Sequence, residues 1–224
     1  MIEIEDVYTC NWSAAVRGMR NPLESWDKSD SEYVSHYSVE VGPKDLNLME
    51  RLIKAGSSDR KFMRMIIVSM DINAPLYWWK EFDTYKVGTV TNSCSTMHTL
   101  GKRLLKQSDF AMEYLDDGTD FNTDAKLVMT HTLAVLNDLI YKWSITKDKK
   151  YWDAFIQLLP SSFMQKRTVT MNYEVLRKMC HERKNHKLSE WRDFCDYFTG
   201  EDAYLSLPYP ELLTEGFSKS NRGA

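Results

Sequence analysis

The chain has only four cysteines, Cys10, Cys94, Cys180 and Cys195, and no two of them form a C-x-x-C pair. That spacing excludes a zinc ribbon and a dense disulfide framework, and no metal is expected; reduced thiols in a cytosol are the default. A basic excess is missing as well: Lys+Arg number 29 against 32 Asp+Glu, for a formal net charge of -3 and a pI near 6.0. Proteins that bind nucleic acid polymers without regard to sequence carry a basic excess or stripe, so this balance argues against that class. A small phosphorylated ligand needs only a few local cations. No apolar run approaches the length of a bilayer span, and the start, MIEIEDVYTCNW, alternates like a strand instead of placing an apolar core after a basic head. A soluble, cytoplasmic protein is expected. There is no G-x-G-x-x-G, no alternating β-α pattern, no internal repeat and no long low-complexity linker, which sets aside a Rossmann domain.

With 224 residues and 43% hydrophobic content, the chain can bury a full core as one domain over 1–224. Residues Met1 to Val7 read as a short strand and Trp12 to Met19 as a helix ending near Arg20-Asn21-Pro22, with Glu24 to Ser38 a polar loop. Leu46, Leu48, Met49, Leu52 and Ile53 recur at helical spacing before a stop at Gly56. Phe62 to Ile72 is expected as a strand buried on at least one face, and Met97 to Lys106 as a helix. Val128, Thr132, Val135, Leu136, Leu139, Ile140 and Trp143 form a long apolar stripe, beside which His131 reads as a core or interface residue. Further helices are expected over Asp148 to Leu159, Asn172 to Arg183 and Leu188 to Phe198, with a short β-like piece over Thr168 to Met171. The tail after Gly200 is expected along the surface or a neighbouring subunit. Helices outnumber a few separated strands, which favours an α+β domain: a small antiparallel or mixed sheet packed by helices.

The most informative stretch is Asn73 to His98. Asn73 can cap a helix, Ala74 and Pro75 suit its first turn, and Leu76, Tyr77, Trp79 and Phe82 can bury one face before Gly88 stops it. Then Thr89, Thr91, Asn92, Ser93, Ser95 and Thr96 surround Cys94, with Tyr85 and Lys86 just upstream. Such a run is either a solvated loop or a binding surface. Cys94 has three readings: a nucleophile, a small stand-in for serine, or a buried structural cysteine.

This segment resembles the signature of the flavin-dependent thymidylate synthases, also called thymidylate synthase complementing proteins. In that family Ala-Pro leads through an amphipathic helix to Arg-His-Arg and then to a serine. Here Ala74-Pro75 leads to Thr84-Tyr85-Lys86, and Cys94 or Ser95 stands at the serine position. Three more stretches resemble the family in order. Ser13 to Arg20 is similar to its amino-terminal Ala-Val-Arg-Ala-Ala-Arg helix, and Leu48 to Gly56 to its helix before the first core strand. Leu159-Pro160, Thr170-Met171-Asn172, Arg183, His186 and Glu190 are similar to its carboxy-terminal pattern.

The resemblance implies the family's sheet-and-helix fold, a homotetramer with active sites between subunits, and FAD as cofactor. It further implies transfer of a one-carbon unit to a pyrimidine deoxynucleotide such as dUMP, with methylenetetrahydrofolate and NADPH as co-substrates. By the same resemblance Tyr85, Lys86, Thr89, Asn172 and His186 are the cofactor-binding candidates. Arg183, Asn92, Cys94, Ser95 and Arg20 are the substrate-binding candidates, and Cys94 and Ser95 the catalytic ones. The match departs from the family at three cations, where Thr84, Thr96 and Ile156 stand in place of arginines, and Ser57 to Arg64 replaces a His-x-x-Pro-Phe-Glu-His segment. Arg17, Arg20, Arg60 and Lys61 are available as replacement cations. These departures leave open a second outcome, a catalytically inactive nucleotide- or partner-binding protein on the same fold.

Overall fold

The computed structural model describes residues 2–34, 39–115 and 123–216. Its elements are mixed helices and strands with a small antiparallel sheet, an α+β fold. The main sheet has four strands, β1 (Glu3–Cys10), β4 (Ile67–Pro75), β5 (Thr89–Ser93) and β6 (Met164–Asn172), in the order β1-β4-β6-β5. Between β4 and β6 the hydroxyls of Ser69 and Thr170 meet at 2.8 Å, and Thr168 donates to Asp71 at 2.7 Å. Numbers fall along one strand as they rise along the other, so this pair runs antiparallel. Two two-residue strands, β2 (Glu32–Tyr33) and β3 (Val39–Glu40), form a separate antiparallel pair.

The chain divides into two compact units. The first comprises Met1–Glu3, Ile72–Thr84 and Asn92–Arg167; the second comprises Ile4–Asp71, Tyr85–Thr91 and Thr168–Ala224. In the first unit, α3 (Leu76–Phe82) buries Trp78, Trp79 and Phe82, and the Trp79 indole donates to the Gln165 carbonyl at 2.9 Å. The hairpin of α5 (Thr123–Thr146) and α6 (Lys149–Leu158) closes over Leu100, Leu105, Phe110, Met129, Leu136, Ile140 and Phe155. Asp148 caps α6 by accepting from the Lys150 amide at 3.1 Å.

The second unit packs α1 (Trp12–Arg20), α2 (Pro43–Ala55), α7 (Tyr173–Arg183), α8 (Ser189–Thr199) and α9 (Glu211–Thr214). Trp12 lies 5.2 Å, centroid to centroid, from both Tyr173 and Tyr209. Helix α2 begins with proline at its first turn, and the distant Asp30 carboxylate accepts from the amides of Lys44 and Asp45 at 2.9 and 3.1 Å. This cap explains Gly42, where a Cβ would stand 2.3 Å from the Asp30 carbonyl oxygen. All four cysteines are free thiols. The Cys180 thiol is pushed up by its hydrogen bond to Cys195 and by burial.

Several expectations need correction. Asn73 does not cap α3, because β4 continues through Pro75; its amide instead donates to Glu3 at 2.9 Å. The polar segment after Gly88 is a strand, β5, as its Thr and Val content permits. The helix expected over Met97 to Lys106 is only α4 (Thr96–Thr99), because Gly101 takes φ +84° and both Leu100 and Leu105 turn inward to the α5–α6 cluster. The β-like piece at Thr168 extends back to Met164 as β6, and the buried strand expected from Phe62 begins at Ile67, after a 3-10 turn over Arg60–Arg64. Of the α5 stripe, Leu136 and Ile140 are buried but Val128 is 65% exposed, and His131 is exposed on this chain. Where the tail is described it joins the second unit's core, with Leu207, Leu212 and Leu213 buried, rather than lying on the surface. The loop expected over Glu24 to Ser38 contains a 3-10 turn and β2, and residues 35–38 lie outside the described residues.

Candidate functional site

Helix α7 organises the candidate site of the second unit. Asn172 is its N-cap, accepting from the Val175 amide at 3.0 Å, and Arg183 lies in its last turn. Eleven positions, about three turns and 16 Å, separate them. The segment Tyr85–Thr89 lies along this length. Gly88 takes φ +76° with its α-carbon so close to α7 that a Cβ would stand 2.9 Å from the Asn172 amide nitrogen and 3.2 Å from Val175. Glycine is therefore needed there twice, for the backbone and for the approach. At the other end Tyr85 reaches Glu182 and Arg183.

The Tyr85 hydroxyl donates to Glu182 and accepts from Arg183 Nε, each at 2.9 Å. The Arg183 guanidinium carbon stands 5.5 Å from the Tyr85 ring centroid and 5.1 Å from that of Trp191. Burial raises the Tyr85 pKa to about 12, with Arg183 opposing and Glu182 adding to the shift. Tyr85 is thus a neutral hydrogen-bonding group at any physiological pH. His186 lies 6.3 Å from Trp191, and its Nδ1 accepts from the Leu188 amide at 3.2 Å, which leaves the proton of a neutral ring on Nε2. The Thr89 hydroxyl is buried without a hydrogen-bond partner among the described residues. Lys86 is exposed and enters no ion pair among them. The structure therefore brings Tyr85, Thr89, Asn172, Arg183 and His186 to α7 and its C-terminal end.

Arg20 is placed differently. Its Nε donates to Asp45 at 2.6 Å and its two terminal nitrogens to the carbonyls of Ser25 and Lys28, each at 3.1 Å, in a pair buried to 5% and 0% exposure. Burial raises the Asp45 pKa, but the hydroxyls of Ser29 and Ser31 and the Arg20 guanidinium outweigh it and hold the carboxyl below its ordinary value. Arg60 is likewise engaged, with Glu174 at 2.9 Å, whereas Arg17 and Lys61 are exposed. Beside Arg20 the second unit has a cleft of about 840 Å³, its apolar wall including Leu48, Leu52 and Phe62. Lys28, Lys44, Arg51 and Lys61 line it against a single acid, Asp59.

The remaining candidates belong to the first unit. Asn92 and Cys94 are exposed. Cys94 is fixed through its backbone, its amide donating to Lys166 and its carbonyl accepting from the Gln165 side chain, both at 2.9 Å. Ser95 caps α4, and its hydroxyl meets His98 Nδ1 at 2.8 Å. No carboxylate contacts His98 among the described residues, so the pair is a local cap without the third group that orients a catalytic base. Thr84 bonds back to the Glu81 carbonyl, and Ile156 packs against the α5–α6 cluster.

Sequence reasoning missed Glu182 and Trp191, which hold Tyr85 and Arg183; neither carries a motif. It also missed Arg167, which pairs with Asp83 at 2.8 Å while lying 4.2 Å over the Trp79 ring. Among the described residues no group of three or more His, Cys, Asp and Glu is placed to hold a metal, and no helix is long and apolar enough to cross a membrane.

No protein-family model and no curated protein sequence matches the chain. Solved structures do. Flavin-dependent thymidylate synthase ThyX from Helicobacter pylori, complexed with FAD and dUMP, superposes with a TM-score of 0.63 at 17% identity, covering 91% of this chain and 97% of that one. A second structure of the same enzyme with FAD and dUMP gives 0.64 at 16% identity, covering 95% and 99%. The UMP/dUMP methylase PolB from Streptomyces cacaoi, bound with 5-Br dUMP, gives 0.61 at 16% identity, covering 96% and 95%. The chain has the fold of these proteins.

Proposed function

We propose that this protein is a divergent flavin-dependent thymidylate synthase-like enzyme, which binds FAD and a pyrimidine deoxynucleotide such as dUMP and transfers a one-carbon unit to the base. The observation that carries the reading is the placement of Tyr85, Thr89, Asn172 and Arg183 along one helix, α7, in a chain with the fold of enzymes solved with FAD and dUMP. The buried, unpartnered Thr89 hydroxyl fits a bound group, since leaving it unpaired costs roughly 1–3 kcal/mol. When bound, FAD supplies hydride, with methylenetetrahydrofolate as one-carbon donor and NADPH as reductant.

The chain's own residues bind and orient. Tyr85, Lys86, Thr89, Asn172 and His186 hold the cofactor, with Tyr85 neutral and its one hydroxyl proton given to Glu182. Arg183, kept in place by Tyr85 and Trp191, directs positive charge at the nucleotide; Asn92, Cys94 and Ser95 of the first unit are substrate-binding candidates by resemblance alone. Lys28, Lys44, Arg51 and Lys61 of the cleft beside Arg20 provide counter-charge for a phosphate-bearing ligand in an otherwise acidic chain. The active assembly is a cytoplasmic homo-oligomer, a tetramer by resemblance.

Titration of the purified protein with FAD, followed by flavin absorbance, tests this reading. Saturation at or below tens of micromolar, about 6 kcal/mol of binding, supports it, and no binding there removes its main support. A second reading, nucleotide binding without catalysis, is favoured by the neutral Thr84, Thr96 and Ile156 and by the internal engagement of Arg20 and Arg60. Binding of both FAD and dUMP without turnover selects it.

A further inference from the structure

The buried Arg20–Asp45 pair builds a wall. Arg20 engages Asp45 and the carbonyls of Ser25 and Lys28, while the hydroxyls of Ser29 and Ser31 donate to the same carboxylate. Taking two charges out of water is costly, and what the pair fixes here is geometry: the segment from Asn21 to Ser31 is strapped to α2. Asp30 adds a second fastening, at the α2 amides of Lys44 and Asp45. The strap forms one side of the cleft of about 840 Å³ beside Arg20, to which it contributes Pro22, Leu23 and Lys28.

The remaining sides are fixed as well. On α2, Lys44, Leu48, Arg51 and Leu52 follow at i, i+4, i+7 and i+8, one helix face, and all four line the cleft. The 3-10 turn Arg60–Arg64 closes it with Lys61 and Phe62. That turn is pinned to α7, because Arg60 and Arg64 share the Glu174 carboxylate at 2.9 and 3.2 Å. Every lining residue lies between Gly18 and Phe62, inside the second unit.

Charge decides what such a cavity takes. Lys28, Lys44, Arg51 and Lys61 bring four positive charges against the one of Asp59, in a chain whose formal net charge is -3. These four make no ion pair among the described residues, and Arg20 is neutralised by Asp45. A nucleoside monophosphate brings about two negative charges and leaves cations unmatched, whereas a triphosphate brings about four. The volume falls in the range of roughly 300–1,000 Å³ that suits a ligand of nucleotide size, and Leu48, Leu52 and Phe62 offer an apolar wall to a base.

We propose that this cleft binds a nucleoside triphosphate, its phosphates among Lys28, Lys44, Arg51 and Lys61 and its base against Leu48, Leu52 and Phe62. The assignment extends the counter-charge reading of these four cations by naming their ligand. It is separate from the Arg183 end of α7, and holds or fails independently of flavin binding there.

The test is calorimetry of the full chain at physiological ionic strength with ATP as the probe, beside inorganic triphosphate, adenosine and FAD. ATP should bind once per chain at tens of micromolar or tighter, inorganic triphosphate at least about tenfold more weakly, and adenosine not detectably at about 1 mM. Lys44 and Arg51 are exposed, so reversing them leaves the core intact. Lys44→Glu with Arg51→Glu should weaken ATP by about a hundredfold, and Lys61→Glu, on the facing wall, by about tenfold. Arg183→Ala should leave ATP affinity within about twofold, and FAD should not displace ATP. No ATP binding at about 1 mM, equal affinity for ATP and inorganic triphosphate, or unchanged affinity in the charge variants would each overturn the proposal. Displacement of ATP by FAD would overturn it too, by assigning the cleft to the cofactor. ATP bound in the cleft of a chain that takes no FAD would uphold it while removing the flavin reading.

Discussion

Two arginines of the second unit sit where the sequence resembles one family, and their surroundings differ. Arg20 is almost completely enclosed, faces the carboxylate of Asp45, and uses all three nitrogens inside the protein. Arg183 is half-buried beside two aromatic rings and a neutral phenol. A buried guanidinium depends on its counter-charge, whereas a half-buried one beside aromatic rings is supported by their π-faces as well. The lesson is that a motif match locates a residue, whereas its partners decide whether its charge is still available to a ligand.

The sharpest way to break this contrast is to remove a partner from each arginine. Asp45→Asn leaves Arg20 buried without its counter-ion and should lower unfolding free energy by about 3–5 kcal/mol, read by urea denaturation. Arg183→Ala should change it by less than about 1 kcal/mol. Equal losses at the two sites would erase the distinction.

Acid should separate them further. The folded Asp45 carboxyl is held below its ordinary value, so its contribution is complete above the unfolded pKa of about 4 and is lost as pH falls through the folded value. Melting temperatures measured from pH 6 down to pH 3 should drop steeply at the acid end, and the slope should flatten in Asp45→Asn. An unchanged slope in the variant would assign the acid sensitivity to other carboxylates.

A smaller effect is expected at the opposite end of α7. Asn172→Ala removes the cap on Val175 and the side chain that backs Gly88, which should lower stability by about 1 kcal/mol. Hydrogen exchange of the first turn of α7 should speed up in the variant. Unchanged exchange would mean that the cap contributes nothing.

Much of the framework was legible because it rests on local rules. The Gly56 stop, the end of α6 at Pro160 and the Asn172 start of α7 are short-range signals that the structure keeps. What escaped depends on distant residues. Segment 97–106 has helical spacing, but Gly101 and the pull of the α5–α6 cluster on Leu105 break it. Thr89 to Ser93 has loop-like composition and becomes a strand only because β6 is there to pair with it. The α+β class followed from element order. The family resemblance pointed to Arg183, Tyr85 and Asn172, which the structure places along α7. Glu182, Trp191 and the Arg20–Asp45 pair were not, because nothing local says which side chain will lie beside which.

The central proposal is that Arg183 is the principal nucleotide anchor. It is tested most directly by two titrations on wild type and Arg183→Ala, one with dUMP by calorimetry and one with FAD by absorbance. The account predicts that dUMP affinity falls by roughly 2 kcal/mol, about thirtyfold, while FAD affinity stays within about twofold. Unaltered dUMP binding, or equal loss of both ligands, would contradict it.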